Sequence, residues 1–144
     1  MKKMIVGALC AVVSLFSQEI HEFEGKHFVA SYLDCDSEAL GNVEKMIQAM
    51  DFAVERSGAT ILNKTYHVFP PNGLTIVYLL SESHASLHTY PEFNACFVDL
   101  FTCGDHCTPE GFDAALRAYL KPKDVNARLF GRHQAIEEMA YAPK

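Results

Sequence analysis

Chemistry-bearing residues crowd between positions 82 and 107. Glu82, Ser83 and His84 follow one another at the end of the apolar run LTIVYLL (74–80), with His88 five residues beyond Ser83 and Cys103, His106 and Cys107 further on. A hydroxyl placed directly after a carbonyl on a strained turn can attack that carbonyl and move the chain from amide to ester. Removing the serine Cα proton then expels the carboxylate and leaves dehydroalanine, which tautomerises to an imine that water hydrolyses, releasing ammonia and leaving an N-terminal pyruvoyl group. The steps need the hydroxyl, a base for the Cα proton and support for the oxyanion. Ser83 supplies the hydroxyl, Glu82 the carbonyl, and His88 a base if a bend between strands returns it to the turn.

Plainer accounts exist for each group. A Ser-Glu-Ser-His run is commonly a solvated turn, His84 commonly a turn residue, and Cys103 in LFTCG commonly a small buried side chain. Cys103, His106 and Cys107, with a fourth ligand from His84 or His88, could instead hold zinc. That pattern lacks a paired CxxC, and adjacent ligands at 106 and 107 suit one tetrahedron badly. A serine hydrolase is a weaker fit, because SESHA is not the G-x-S-x-G elbow.

The elements that must position these groups are of mixed type. KHFVASYL (26–33) reads as a strand. Asp36 or Ser37 caps a helix whose apolar residues Leu40, Val43, Ile47, Met50 and Val54 share one face, and Gly58 stops it. ATILNKTYHVF (59–69) and LTIVYLL (74–80) read as strands joined by the turn PPNG, the second apolar on both faces and so central. FNACFVDLF (93–101) reads as a strand, and Thr108-Pro109-Glu110 as a helix start with Phe112, Ala115, Leu116 and Tyr119 buried. DVNARLFG (124–131) closes as a strand, and the tail from Gln134 reads as loose. The order β-α-β-β-β-α-β predicts an α+β fold, a two-layer α/β sandwich with a mostly antiparallel sheet and helices on one face.

With 144 residues, 49% of them hydrophobic, the chain suits one domain with a modest core. Its net charge of -6 argues against a nucleic-acid surface. Five cysteines cannot all pair within one chain, which points to reduced thiols and a cytoplasmic setting. Residues 1–24 read as a hydrophobic extension or possible signal peptide. The stretch is too short for a membrane span, so no membrane association is expected. Residues 25–133 form the domain and 134–144 a tail.

The stretches GKHFVASYLDCDSEAL and GATILNKTYHVFPPNGLTIVYLLSESHASLHTYPEFNACFVDLFTCG resemble the prokaryotic S-adenosylmethionine decarboxylase proenzyme family, from about Gly25 to Arg132. The order and spacing of LSESH, LHT, PE and DLFTCG carry the likeness. The resemblance implies cleavage between Glu82 and Ser83, a covalent pyruvoyl group from Ser83 that forms a Schiff base with substrate, and no metal. It makes His88 the proton acceptor in processing and Cys103 the proton donor in catalysis. It also implies a dimer of cleaved αβ protomers, and conversion of S-adenosylmethionine to S-adenosylmethioninamine and CO2 for spermidine and polyamine biosynthesis. The pyruvoyl carbonyl is an electron sink of the kind pyridoxal phosphate supplies elsewhere.

Departures from that family pattern bear on the expectations. Thr75 stands where a serine that supports processing is expected, keeping the hydroxyl and adding a methyl. Tyr90 stands where tryptophan is common. Phe69 and Tyr90, with Glu92, form the expected aromatic and acidic pocket for a sulfonium and an adenine. L-ornithine or L-arginine is the alternative substrate. A zinc-binding module using Cys103, His106 and Cys107, or a processed but inactive regulatory partner, is the alternative function.

Overall fold

The computed structural model describes residues 23–143 apart from 104. The expected N-terminal extension therefore falls almost wholly outside the described residues. Strands are β1 (Gly25–Leu33), β2 (Ile61–Phe69), β3 (Gly73–Leu80), β4 (Ser83–Tyr90), β5 (Ala95–Thr102), β6 (Asp124–Arg132) and β7 (Ile136–Met139). Helices are α1 (Ser37–Gly41), α2 (Val43–Arg56) and α3 (Pro109–Leu120), with a short 3-10 turn at Pro91–Phe93. All seven strands join one antiparallel sheet in the order β2-β3-β4-β5-β1-β6-β7.

The α+β sandwich expected from the sequence is the one observed. One face of the sheet turns Phe28, Tyr32, Ile76, Tyr78, Leu87 and Leu100 into a core completed by Met46, Met50, Phe112 and Leu116 of the helices. Alternation along each strand sends the next residue to the opposite face, which none of the described helices covers. That face carries Thr75, Val77 and Leu79 of β3, and His84, Ser86, His88 and Tyr90 of β4. It continues with Phe97, Asp99 and Phe101 of β5 and His27 of β1.

Several elements differ from the expectation. Ser83–Tyr90 is a strand where the sequence suggested a bend, because its polar residues alternate with the buried Ala85, Leu87 and Thr89. The single helix predicted after Asp36 is two. Asp36 caps the first through Ala39 N–H, and Asn42 interrupts, its side chain accepting from Lys45 N–H to start the second. Gly58 takes φ +88° just past α2, a conformation glycine adopts without the steric penalty of a Cβ. β3 lies inside the sheet but not at its centre, and its outer residues Val77 and Leu79 are 42% and 56% exposed. The tail is not loose. β7 pairs with β6, and the Tyr141 hydroxyl donates to Asp113 at 2.6 Å.

Asp113 is buried on α3, where it also accepts from Tyr32 at 2.6 Å and from Arg117 Nε at 2.9 Å. Burial and the Asp113 carboxylate push both phenols upward. These bonds tie β1, α3 and the tail together behind the site. Among the described residues, no helix is long and apolar enough to cross a membrane.

Candidate active site

Ser81 and Glu82 form the whole loop of the β3–β4 hairpin. Two-residue hairpin loops favour Gly, Asn or Asp because they need positive φ. Here the positive φ, +154°, falls on Ser83, a region that glycine alone enters readily. Such a residue persists only when its surroundings hold it, at a cost of roughly 1–3 kcal/mol.

Both flanks hold this turn. On the β2 side Thr60 O accepts from Ser81 N–H at 2.9 Å, and Thr60 N–H donates to Glu82 Oε2 at 2.9 Å. On the β5 side Cys103 N–H donates to the Glu82 carbonyl oxygen at 3.0 Å. His106 Nε2 sits 3.4 Å from Glu82 Oε1. Burial alone would raise the Glu82 carboxyl, but the backbone N–H bonds and His106 hold it below the ordinary carboxylate value.

Cys103 follows β5 directly and is exposed, while its amide occupies the carbonyl that Ser83 would attack. A Cβ on Gly25 would lie 3.2 Å from Cys103 Sγ and 2.5 Å from the Phe101 ring, so the chain must run bare past the thiol. Ser83 Oγ lies 3.2 Å from His84 Nδ1. Glu82, Ser83 and Cys103 are thus brought together.

His88 is elsewhere. It lies on the same strand as Ser83, with no bend between them, about 16 Å away at a strand rise of about 3.3 Å per residue. Its Nδ1 shares a hydrogen bond with Thr75 Oγ1, its partner in the β3–β4 register. Its ring lies 4.4 Å from Tyr90 and 5.9 Å from Phe69, with Tyr90 5.2 Å from Phe97. Thr75, His88, Phe69 and Tyr90 therefore form a second cluster at the far end of β4. Glu92 is exposed in the 3-10 turn beyond it.

The zinc set expected from the sequence is not the one assembled. Among the described residues two sets of donors converge within 4.8 Å, Glu82 with His106 and Cys107, and His27 with His84 and Asp99, and neither is Cys103, His106 and Cys107. Cys107 is buried, and burial with the Glu82 charge pushes its thiol up to about 11. None of the four described cysteines is disulfide-bonded.

Two residues of the site escaped the sequence reading. His27 Nε2 lies 3.2 Å from Asp99 Oδ2, and His84 Nε2 lies 3.7 Å from the same oxygen. The Ser86 hydroxyl donates to Asp99 Oδ1. Burial would raise the Asp99 carboxyl, but His27 and Ser86 hold it below its ordinary value. The available signal was one polar residue at an outward position in each of two apolar strands, KHFVA and FVDLF.

Residues 26–133 match the family model described as S-adenosylmethionine decarboxylase. The S-adenosylmethionine decarboxylase proenzyme of Thermosipho africanus is 42% identical over 114 residues, covering 78% of this chain and 88% of that protein. The protein of the same name from Methanococcus aeolicus is 42% identical over 98 residues, covering 68% and 84%. The crystal structure of the adenosylmethionine decarboxylase from Aquifex aeolicus superposes with a TM-score of 0.72 at 30% identity, covering 83% of this chain and 99% of that one.

Proposed function

The chain belongs to the S-adenosylmethionine decarboxylase family, and on that premise we propose that it cleaves its own Glu82–Ser83 bond and then converts S-adenosylmethionine to S-adenosylmethioninamine and CO2, a step of polyamine biosynthesis. One observation carries the cleavage: the Glu82 carbonyl is held at 3.0 Å by Cys103 N–H beside a serine with φ +154°. A donor already aimed at the oxygen where charge develops lowers the barrier to attack. Relief of the strained backbone favours leaving the amide.

The pyruvoyl carbonyl formed on Ser83 supplies an electron sink for the electrons left by CO2. Cys103 stands beside that position and donates the proton that the substrate carbon then takes up. Protonation there, rather than on the pyruvoyl carbon, keeps the group from being consumed. The names of the relatives favour S-adenosylmethionine over ornithine or arginine, and give no support to a zinc module.

His88 and Thr75 act in a second copy's site. A separation of about 16 Å along one strand cannot be closed within the chain. None of the described helices covers the face that carries His84, His88 and Tyr90, and it exposes Val77, Leu79 and Phe97. A two-fold axis across the middle of that face sets Ser83 of each copy against the second copy's Thr75, His88, Phe69 and Tyr90. The dimer thereby supplies both the base for the Cα proton and the aromatic pocket for the adenine and sulfonium. A cytosolic location fits a substrate made there.

The test is CO2 release from S-adenosylmethionine, ornithine and arginine at equal concentration. S-adenosylmethionine should give the most. Greater release from either amino acid contradicts the substrate while leaving the cleavage chemistry in place.

A further inference from the structure

Self-cleavage requires two proton transfers that one histidine at the far end of β4 does not obviously serve. The Ser83 hydroxyl must lose a proton as it attacks, and the serine Cα must lose one later. His84 is the imidazole at the first of these atoms. Its Nδ1 is 3.2 Å from Ser83 Oγ, and its Nε2 points to the other side, 3.7 Å from Asp99 Oδ2. The second distance is that of an ion pair rather than a hydrogen bond. Asp99 is itself fixed, by His27 at 3.2 Å and by the Ser86 hydroxyl. The His84 ring packs 5.6 Å from Phe101 and 6.2 Å from His27, so neighbours on two strands set its orientation.

We propose that His84, oriented by Asp99, is the catalytic residue that activates Ser83 for the amide-to-ester shift, a role separate from that of His88. The inference rests on the self-cleavage described above. Ser83 Oγ bonds to the Glu82 carbonyl carbon as its proton passes to His84 Nδ1. The carbonyl electron pair moves onto the oxygen that Cys103 N–H holds. The imidazolium, formed beside the Asp99 carboxylate, then returns the proton to the Ser83 nitrogen as the carbon–nitrogen bond breaks and the carbonyl re-forms. One carbon–oxygen bond has replaced one carbon–nitrogen bond, and one proton has moved from oxygen to nitrogen. No co-reactant is consumed.

The arrangement resembles a hydrolase triad in geometry only. Its nucleophile attacks its own chain, and its histidine is the next residue. His27 occupies the remaining side of the carboxylate and keeps Asp99 aligned when His84 is neutral. Asp99 and His27 are thus positioning residues, while His84 touches the reacting atom.

The experiment follows purified His84→Ala through cleavage and through exposure to hydroxylamine, which cuts an ester and spares an amide. Cleavage should slow by about 10²–10⁴-fold, the usual range for a lost general base. The accumulated chain should resist hydroxylamine, because the block precedes the ester. Imidazole added to the medium should restore part of the rate, since loss of the ring leaves an imidazole-sized space between Ser83 Oγ and the Asp99 carboxylate. Asp99→Asn should slow the same step by a smaller factor, and wild-type cleavage should be unaffected by a chelator. Cleavage of His84→Ala at the wild-type rate, accumulation of a hydroxylamine-labile chain, or a slow variant that imidazole does not restore would each overturn the assignment. So would loss of wild-type cleavage in the chelator, which would make His27, His84 and Asp99 a metal site. Wild-type protein that never cleaves contradicts self-processing itself and takes the role of His84 with it.

Discussion

Cys103 holds the Glu82 carbonyl through its amide, and the proposed reaction gives its thiol a second role that mutation would separate from the first. Cys103→Ala keeps the N–H that holds the Glu82 carbonyl, so the variant should still cleave. Its decarboxylation should fall by about 10²–10⁴-fold, read as CO2 release per cleaved chain. A loss of cleavage instead would mean that the thiol, not the amide, supports the first reaction. His88→Ala should stop later, as an ester that hydroxylamine cuts, and normal processing of that variant would remove His88 as the Cα base. Asp99 has a pH signature of its own. Its carboxyl is held below the ordinary value, which is about 4. It therefore contributes stability above that pH, and the contribution is lost as the pH falls through the lowered folded-state value. Urea midpoints at pH 5 and pH 3 should differ less in Asp99→Asn than in the unsubstituted protein.

At the scale of elements, what was legible depended on whether polarity and secondary structure pointed the same way. The stripe of α2 and the cap of α3 were readable because apolar spacing and capping residues agree there. SHASLHTY was not read as a strand, although Ala85, Leu87 and Thr89 alternate cleanly, because its outward residues are chemically active and suggested a turn. The same oversight hid His27 and Asp99, single polar residues whose shared face appears only once the register of β1 against β5 is known. Asn42 divides a helix whose apolar periodicity runs on across the break, so periodicity alone missed it. The tail misled through its polarity, since its hold on the fold is a long-range bond from Tyr141 to Asp113. Tyr141→Phe keeps the ring against Phe28 and removes that bond. It should cost about 1 kcal/mol, lowering Tm by about 3 °C, and an unchanged melting curve would show that the tail does not brace α3.

Across the whole molecule, Ser83 and His88 lie at opposite ends of β4, about 16 Å apart, and the proposed dimer is what would bring the two together. Complementation tests this. A Ser83→Ala chain carries an intact His88, and a His88→Ala chain carries an intact Ser83. Mixed during refolding, they should form heterodimers in which the His88→Ala chain is cleaved, although neither variant processes alone. Failure of the mixture, with dimers present, would place both groups in one chain. The central claim is the fate of the Glu82–Ser83 bond, and intact mass reports it without assuming a substrate. The purified protein should separate into a fragment ending at Glu82 and a fragment spanning 83–144 that begins with a pyruvoyl group, while Ser83→Ala stays a single chain. An uncleaved unsubstituted chain that nonetheless releases CO2 from S-adenosylmethionine would contradict the account.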